Sequence, residues 1–132
     1  MITTAQYFER HKDSSEITDK VRKNAEKLIG LISTLLSLIP YETTISSGFR
    51  TQKYNEKIGG SPNSAHCTGE ACDLSDPDKI VGLWCQSNVG YLAANGLYME
   101  SLSVTHKSPD PLKRWVHLSI KAPKSKNTIF YP

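Results

Sequence analysis

The stretch Ser64-Ala-His-Cys-Thr-Gly-Glu-Ala-Cys-Asp73 sets an imidazole, His66, and a carboxylate, Asp73, on either side of a tight turn at Gly69. A second imidazole, His117, follows much later in the apolar run Trp115-Val116-His117-Leu118. Two His and one Asp from separate segments are ligands of the kind Zn²⁺ takes. A tetrahedral ion held by three protein side chains keeps a fourth position open for water, which is the catalytic rather than the structural arrangement. These residues predict a small zinc hydrolase.

The same residues have blander readings. A lone His in a loop is more often a surface or capping residue than a ligand. Here Gly69 and the small Ala71 permit a close turn, and an adjoining strand can hold the Asp73 carboxylate rigidly. On its apolar strand, an uncoordinated His117 would need some other buried partner. A rival metal site would join Cys67 and Cys72 to the two His as a closed structural centre. Strand alternation opposes it, because Cys72 and Asp73 point to opposite faces. A nucleophilic Cys67–His pair is weaker still, since the side chains of neighbours such as His66 and Cys67 diverge.

The elements that must position these groups can be traced along the chain. Residues 1–15 are polar and mixed in charge, an arm or a short first helix. From Thr18 to Leu38, apolar residues at Val21, Ala25, Leu28, Ile32 and Leu35, with Ile39 beyond, fall at helical spacing, and Pro40 stops the run. Thr43–Ser46 is β-prone, Gln52–Ile58 is a short helix ended by Gly59-Gly60, and Ser61–Ser64 is the loop that delivers His66. Ala71–Leu74 is a strand carrying Asp73. Asp76 and Pro77 resemble an N-cap and first helical residue, opening a helix that runs to about Ala94 with a break near Asn88–Gly90. Leu97–Leu102 and Trp115–Ile120 are further strands, separated by a polar loop over 103–114. Few local signals specify parallel pairing, so the expectation is an α+β domain in which helices pack on a small, mainly antiparallel sheet.

At 132 residues the chain fits one domain spanning 1–132, large enough for a core without disulfides. A net charge of +3 would favour an anionic polymer such as a cell wall, but it is too small and dispersed to argue for nucleic acid. Three Cys cannot all pair within the chain, which favours free thiols and a reducing compartment. No basic segment followed by an apolar run opens the sequence, and the greasy stretch 28–40 is interrupted and too short for a bilayer. The expectation is a monomer with no nucleic-acid or membrane partner, made in the cytoplasm without a signal peptide.

Ser46-Ser-Gly-Phe-Arg50, Asn55, Gly59-Gly-Ser61, Ser64-Ala-His66, Gly69-Glu-Ala-Cys-Asp73 and Trp115-Val-His117 together resemble the zinc D-Ala-D-Ala carboxypeptidase/LD-endopeptidase family. That family shares its fold with the hedgehog signalling domain, and the likeness is to its small phage and bacterial members. It covers roughly residues 20–132, and the tail Ile129-Phe-Tyr-Pro132 is also similar. The resemblance implies that His66, Asp73 and His117 are the zinc ligands. It implies further that Arg50 faces the substrate and stabilises the scissile carbonyl. Ser64 would be a substrate contact or a support for the ligands, with a local backbone-bonded turn equally open. Better-known members carry a Glu three residues before the last His, where this chain has Arg114. The smaller relatives point instead to Glu100 as general base, with Asp110 and Glu70 as fallbacks. The implied substrates are peptidoglycan stem peptides, cut at D-Ala-D-Ala or an L-Ala-D-Glu-type bond. A phage lytic enzyme reaching the wall after release is one setting. The alternative is a non-catalytic, metal-binding cell-wall or phage-particle module that retains the fold.

Overall fold

The computed structural model describes residues 1–132. Thr3 opens helix α1 (Thr4–Phe8) through a reciprocal capping box with Gln6, and a 3₁₀ turn over Glu9–His11 continues it. Helix α2 (Asp19–Ser37) begins where the Thr18 hydroxyl accepts the Val21 N–H. Val21, Ala25, Leu28, Ile32 and Leu35 are all buried along one stripe of it, with Ile39 just past its end, which is the stripe the spacing predicts.

Five strands form one sheet in the order β1-β2-β4-β3-β5. They are β1 (Ile45–Ser47), β2 (Ala71–Ser75), β3 (Tyr98–Glu100), β4 (Trp115–Ser119) and β5 (Ile129–Phe130). Every pairing is antiparallel except β3 with β5. The expected α+β class and mainly antiparallel sheet are therefore observed. Cys72, Leu74, Met99, Val116 and Leu118 are fully buried and join the α2 stripe in one apolar cluster. Alternation then turns Asp73, Glu100 and His117 to the other face of the sheet. The core thus fixes which residues are left for chemistry.

Helix α3 (Gln52–Lys57) lies where expected, capped by the Thr51 hydroxyl. The next helix starts later than Asp76-Pro77 suggests. Lys79 takes a left-handed conformation (φ 63°), and α4 runs from Ile80 to Ser87. Asp76 still serves that helix from a distance, because its carboxylate accepts from the Val81 and Gly82 N–H groups and from His106 Nε2. The expected break falls at Asn88, after which α5 covers Val89–Ala94.

Strand β3 ends at Glu100 rather than Leu102, and residues 103–114 are not a plain loop. Ser101 caps a short α6 (Leu102–Thr105) that buries Leu102 and Thr105, and Asp110 caps a 3₁₀ turn over Pro111–Lys113. Strand β1 sits one to two residues later than Thr43–Ser46, and β5 is an addition to the expected set. The first fifteen residues are no loose arm: Ile2, Tyr7 and Phe8 are buried, and the Tyr7 hydroxyl donates to the Ala71 carbonyl at 2.8 Å. No helix is long and apolar enough to cross a membrane.

Candidate functional site

The site is a single transverse row of the sheet. Ser47 on β1 lies opposite Asp73 on β2, and Asp73 lies opposite His117 on β4. The β3–β4 register pairs Tyr98 with Ser119 and Met99 with Leu118, so its next step brings Glu100 opposite His117. Glu100 in turn pairs with Phe130 on β5. Directly opposed residues share a face. Five strands therefore contribute Ser47, Asp73, His117, Glu100 and Phe130 to one line of side chains.

His66 reaches this row from the loop before β2. Gly69 makes the return possible: its φ is +76°, and a Cβ there would stand 2.6 Å from the Val21 carbonyl oxygen on α2. The His66 Nδ1 lies 2.8 Å from the Gly48 carbonyl. A carbonyl can only accept, so Nδ1 carries the proton and Nε2 presents its lone pair to the row. That Nε2 is buried and has no hydrogen-bond partner, although Asp73 Oδ2 is 3.4 Å away. His117 Nδ1 contacts Asp73 Oδ1 at 2.8 Å. One ligand atom from each of His66, Asp73 and His117 lies within 4.8 Å of the other two. An orphaned imidazole nitrogen beside a carboxylate and a second imidazole is a donor set that fits a borderline divalent cation such as zinc.

The electrostatics agree with a compact cationic site. Burial opposes the charged form of Asp73, but His66 and His117 outweigh it and hold the carboxyl below the usual range. Burial also opposes charge on His117, and there the hydrogen bond and charge of Asp73, helped by Glu100, push its pKa up. A proton bridging His117 and Asp73 is what a metal would displace. Burial pushes the Glu100 carboxyl up, with Asp73 adding to the rise and His117 and His66 opposing it.

The other candidate residues are placed as follows. Arg50 stands beside the row, with Nε bonded to Ser47 Oγ (3.1 Å), Nη1 to Asn55 Oδ1 (3.3 Å) and Nη2 to Asp73 Oδ2 (3.4 Å). The Ser64 hydroxyl accepts the His66 N–H at 3.2 Å, so it makes the local turn contact. Of the fallback carboxylates, Glu70 is bonded to the Thr68 hydroxyl and Asp110 caps the Leu112 N–H. Arg114, three residues before His117, is tied to the carbonyls of Ser108, Pro77 and Pro109. The Cys-based centre does not assemble. Cys72 lies in the core behind the sheet, Cys67 sits by the Thr51 carbonyl, and burial raises both thiols.

Three contributors carry no signal of their own in the sequence. The Gly48 carbonyl and Ser47 lie inside the Ser46–Arg50 motif, whose continuity was their only signal. Phe130 sets its ring edge-on to His117, centroids 6.1 Å apart, from a strand too short for any periodicity to mark.

The family model described as Peptidase M15 matches residues 4–106. The match takes in Arg50, Ser64, His66, Asp73 and Glu100 and stops short of His117, which the sheet register supplies. Comparison with curated proteins and with solved structures gives no match. With well over half of its length matched, the chain belongs to the Peptidase M15 family.

Proposed function

We propose that this chain is a zinc-dependent peptidase acting on bacterial peptidoglycan stem peptides, at D-Ala-D-Ala or at an L-Ala-D-Glu-type bond. The observation that carries the reading is the buried, partnerless Nε2 of His66 converging with Asp73 and His117. Zinc held by those three side chains would supply Lewis acidity and an acidified water. One carboxylate among three ligands leaves a divalent ion with net positive charge, which favours that chemistry.

The chain's own residues do the rest. Gly48 and Ser64 fix the His66 ring and backbone, so its lone pair is preorganised. Glu100, half-buried and across from His117, takes the proton of the attacking water and delivers it to the leaving amine, a contribution of about 10²–10⁴-fold. Its raised pKa suits a base that must later act as an acid. Arg50 offers its guanidinium to the oxyanion that forms at the scissile carbonyl. In this reading residues 1–132 act as one monomeric domain, and release to the wall by a phage lytic system supplies its setting.

Purified protein incubated with muropeptides should release D-Ala or cleaved stem peptide, stop with a chelator and resume with zinc. A second reading rests on Arg114, which stands where better-known members have their Glu. If the fully zinc-loaded protein turns over no muropeptide, the peptidase reading fails and a metal-binding wall or particle module takes its place.

A further inference from the structure

Asn55 is 1% exposed, in the second turn of α3, yet its amide does nothing for that helix, whose cap is Thr51. The amide instead joins two other parts of the molecule. Nδ2 donates to the Ser61 carbonyl at 2.7 Å, and Oδ1 accepts from Arg50 Nη1 at 3.3 Å. Only one orientation satisfies both. Flipping the amide would set its NH₂ against a guanidinium N–H and its oxygen against a carbonyl. Gly60 closes the cage: its N–H donates to the main-chain carbonyl of Asn55 at 2.8 Å, and a Cβ on it would lie 2.0 Å from Asn55 Oδ1.

Three acceptors hold the Arg50 guanidinium: Ser47 Oγ, Asn55 Oδ1 and Asp73 Oδ2. Asp73 is the only charged one, and its contact is the longest at 3.4 Å. In the proposed enzyme Asp73 shares its charge with a divalent cation, and that cation also repels the guanidinium. The Coulombic reason for Arg50 to stay then weakens, and the two neutral acceptors must keep it in place. Ser47 lies in the sheet row itself, whereas Asn55 holds the guanidinium from the opposite side and ties it to the 59–64 loop that leads to His66.

We propose that Asn55 is a positioning residue that keeps Arg50 aimed at the site when a cation occupies it, with Gly60 keeping the amide in register. This rests on the peptidase reading for its consequence in turnover, but not for its geometry. The direct readout is hydrogen exchange at the Arg50 Nε–H in the zinc-loaded protein, assigned by its loss in Arg50→Lys. That proton should exchange slowly in the parent protein and quickly in Asn55→Ala, with zinc affinity by chelator competition unchanged within about threefold.

In turnover, Asn55→Ala should lower kcat by up to about 10²-fold with KM nearly unchanged. Arg50→Ala/Asn55→Ala should be no slower than Arg50→Ala alone, because both act through one guanidinium. Equal Nε–H protection in Asn55→Ala, or a loss that adds in full to that of Arg50→Ala, overturns the proposal. If Asn55→Ala does not fold, Gly60→Ala displaces the amide while leaving it in the chain, and the same outcomes apply. If the parent protein hydrolyses no stem peptide, the peptidase reading falls, and the exchange measurement still decides the role of Asn55.

Discussion

Replacing His117 separates the stability that a bound zinc would add from the protein's own. His117 Nδ1 and Asp73 Oδ1 are 2.8 Å apart, on side chains 17% and 11% exposed. The raised pKa of His117 and the lowered one of Asp73 both mark the contact as favourable in the fold. Losing it in His117→Ala should cost about 1–3 kcal/mol. Unfolding entropy scales with length, and 132 residues correspond to about 0.28 kcal/mol per kelvin, so the Tm without added zinc should drop by about 4–11 °C. Zinc adds a second difference of comparable size. A ligand confined to the folded state contributes about 2.7 kcal/mol at one hundred times its Kd. By the same conversion that is a rise of about 10 °C in the parent protein. His117→Ala leaves only two of the three proposed ligand atoms, so its zinc-induced rise should nearly vanish. The assay is a thermal melt by circular dichroism, with and without zinc, for both proteins. Zinc binding to unfolded Cys and His lowers both rises together, so the difference between them is the quantity to read. If His117→Ala gains as much from zinc as the parent, these three residues are not the ligand set.

Glu100→Gln should keep zinc affinity while lowering kcat on muropeptides by about 10²–10⁴-fold, and parent-like turnover would remove Glu100 from the mechanism. Tyr7→Phe deletes the buried donor to the Ala71 carbonyl, which should lower unfolding free energy by about 1–3 kcal/mol in urea titrations. An unchanged midpoint would mean that the first helix is not fastened to β2 through this bond. Burial holds His106 below its ordinary pKa of 6.5 against the opposing pull of Asp76, so the unfolded chain takes up this proton first. Its contribution is therefore whole above about pH 6.5 and is lost as pH falls from there through the folded value. His106→Gln should flatten the fall of urea midpoints in that window, and an unaltered slope would refute the assignment.

What was legible in the sequence follows the range of the interactions. The α2 stripe repeats over about four turns, so all of its buried residues except Ile29 could be named from spacing alone. The capping hydroxyls of Thr18 and Thr51 act within three residues, and both helices begin where those residues stand. Asp76 shows where local reading fails. The pattern Asp76-Pro77 imitates an N-cap and N1 pair, but the left-handed Lys79 delays the helix while the carboxylate still reaches the Val81 and Gly82 N–H groups. Its third donor, His106, is thirty residues away, and nothing near Asp76 in the chain announces it. The short α6 and the β5 strand were missed for a related reason. Four- and two-residue elements carry no period, and their placement depends on contacts such as Met99 N–H to the Thr128 carbonyl and Ser101 N–H to the Phe130 carbonyl.

The same distinction explains why a Glu on a neighbouring strand can take the place of one beside the last His. On a strand, residues three apart point to opposite faces. A carboxylate at position 114 could face His117 only if the chain left β geometry between them. Here the strand begins at Trp115, and Arg114 uses its guanidinium to gather the carbonyls of Ser108, Pro77 and Pro109 behind it. That clamp holds together the turn before α4 and the segment leading into β4. Glu100 needs no such departure, because the β3–β4 register sets it directly across from His117 and on the same face. Cross-strand neighbours in a sheet are as fixed in distance as neighbours in a motif, but the hydrogen bonds that fix them join residues far apart in the chain. The proposed base therefore lies in the same row as the proposed ligands, even though seventeen residues and a helix separate it from His117 in sequence.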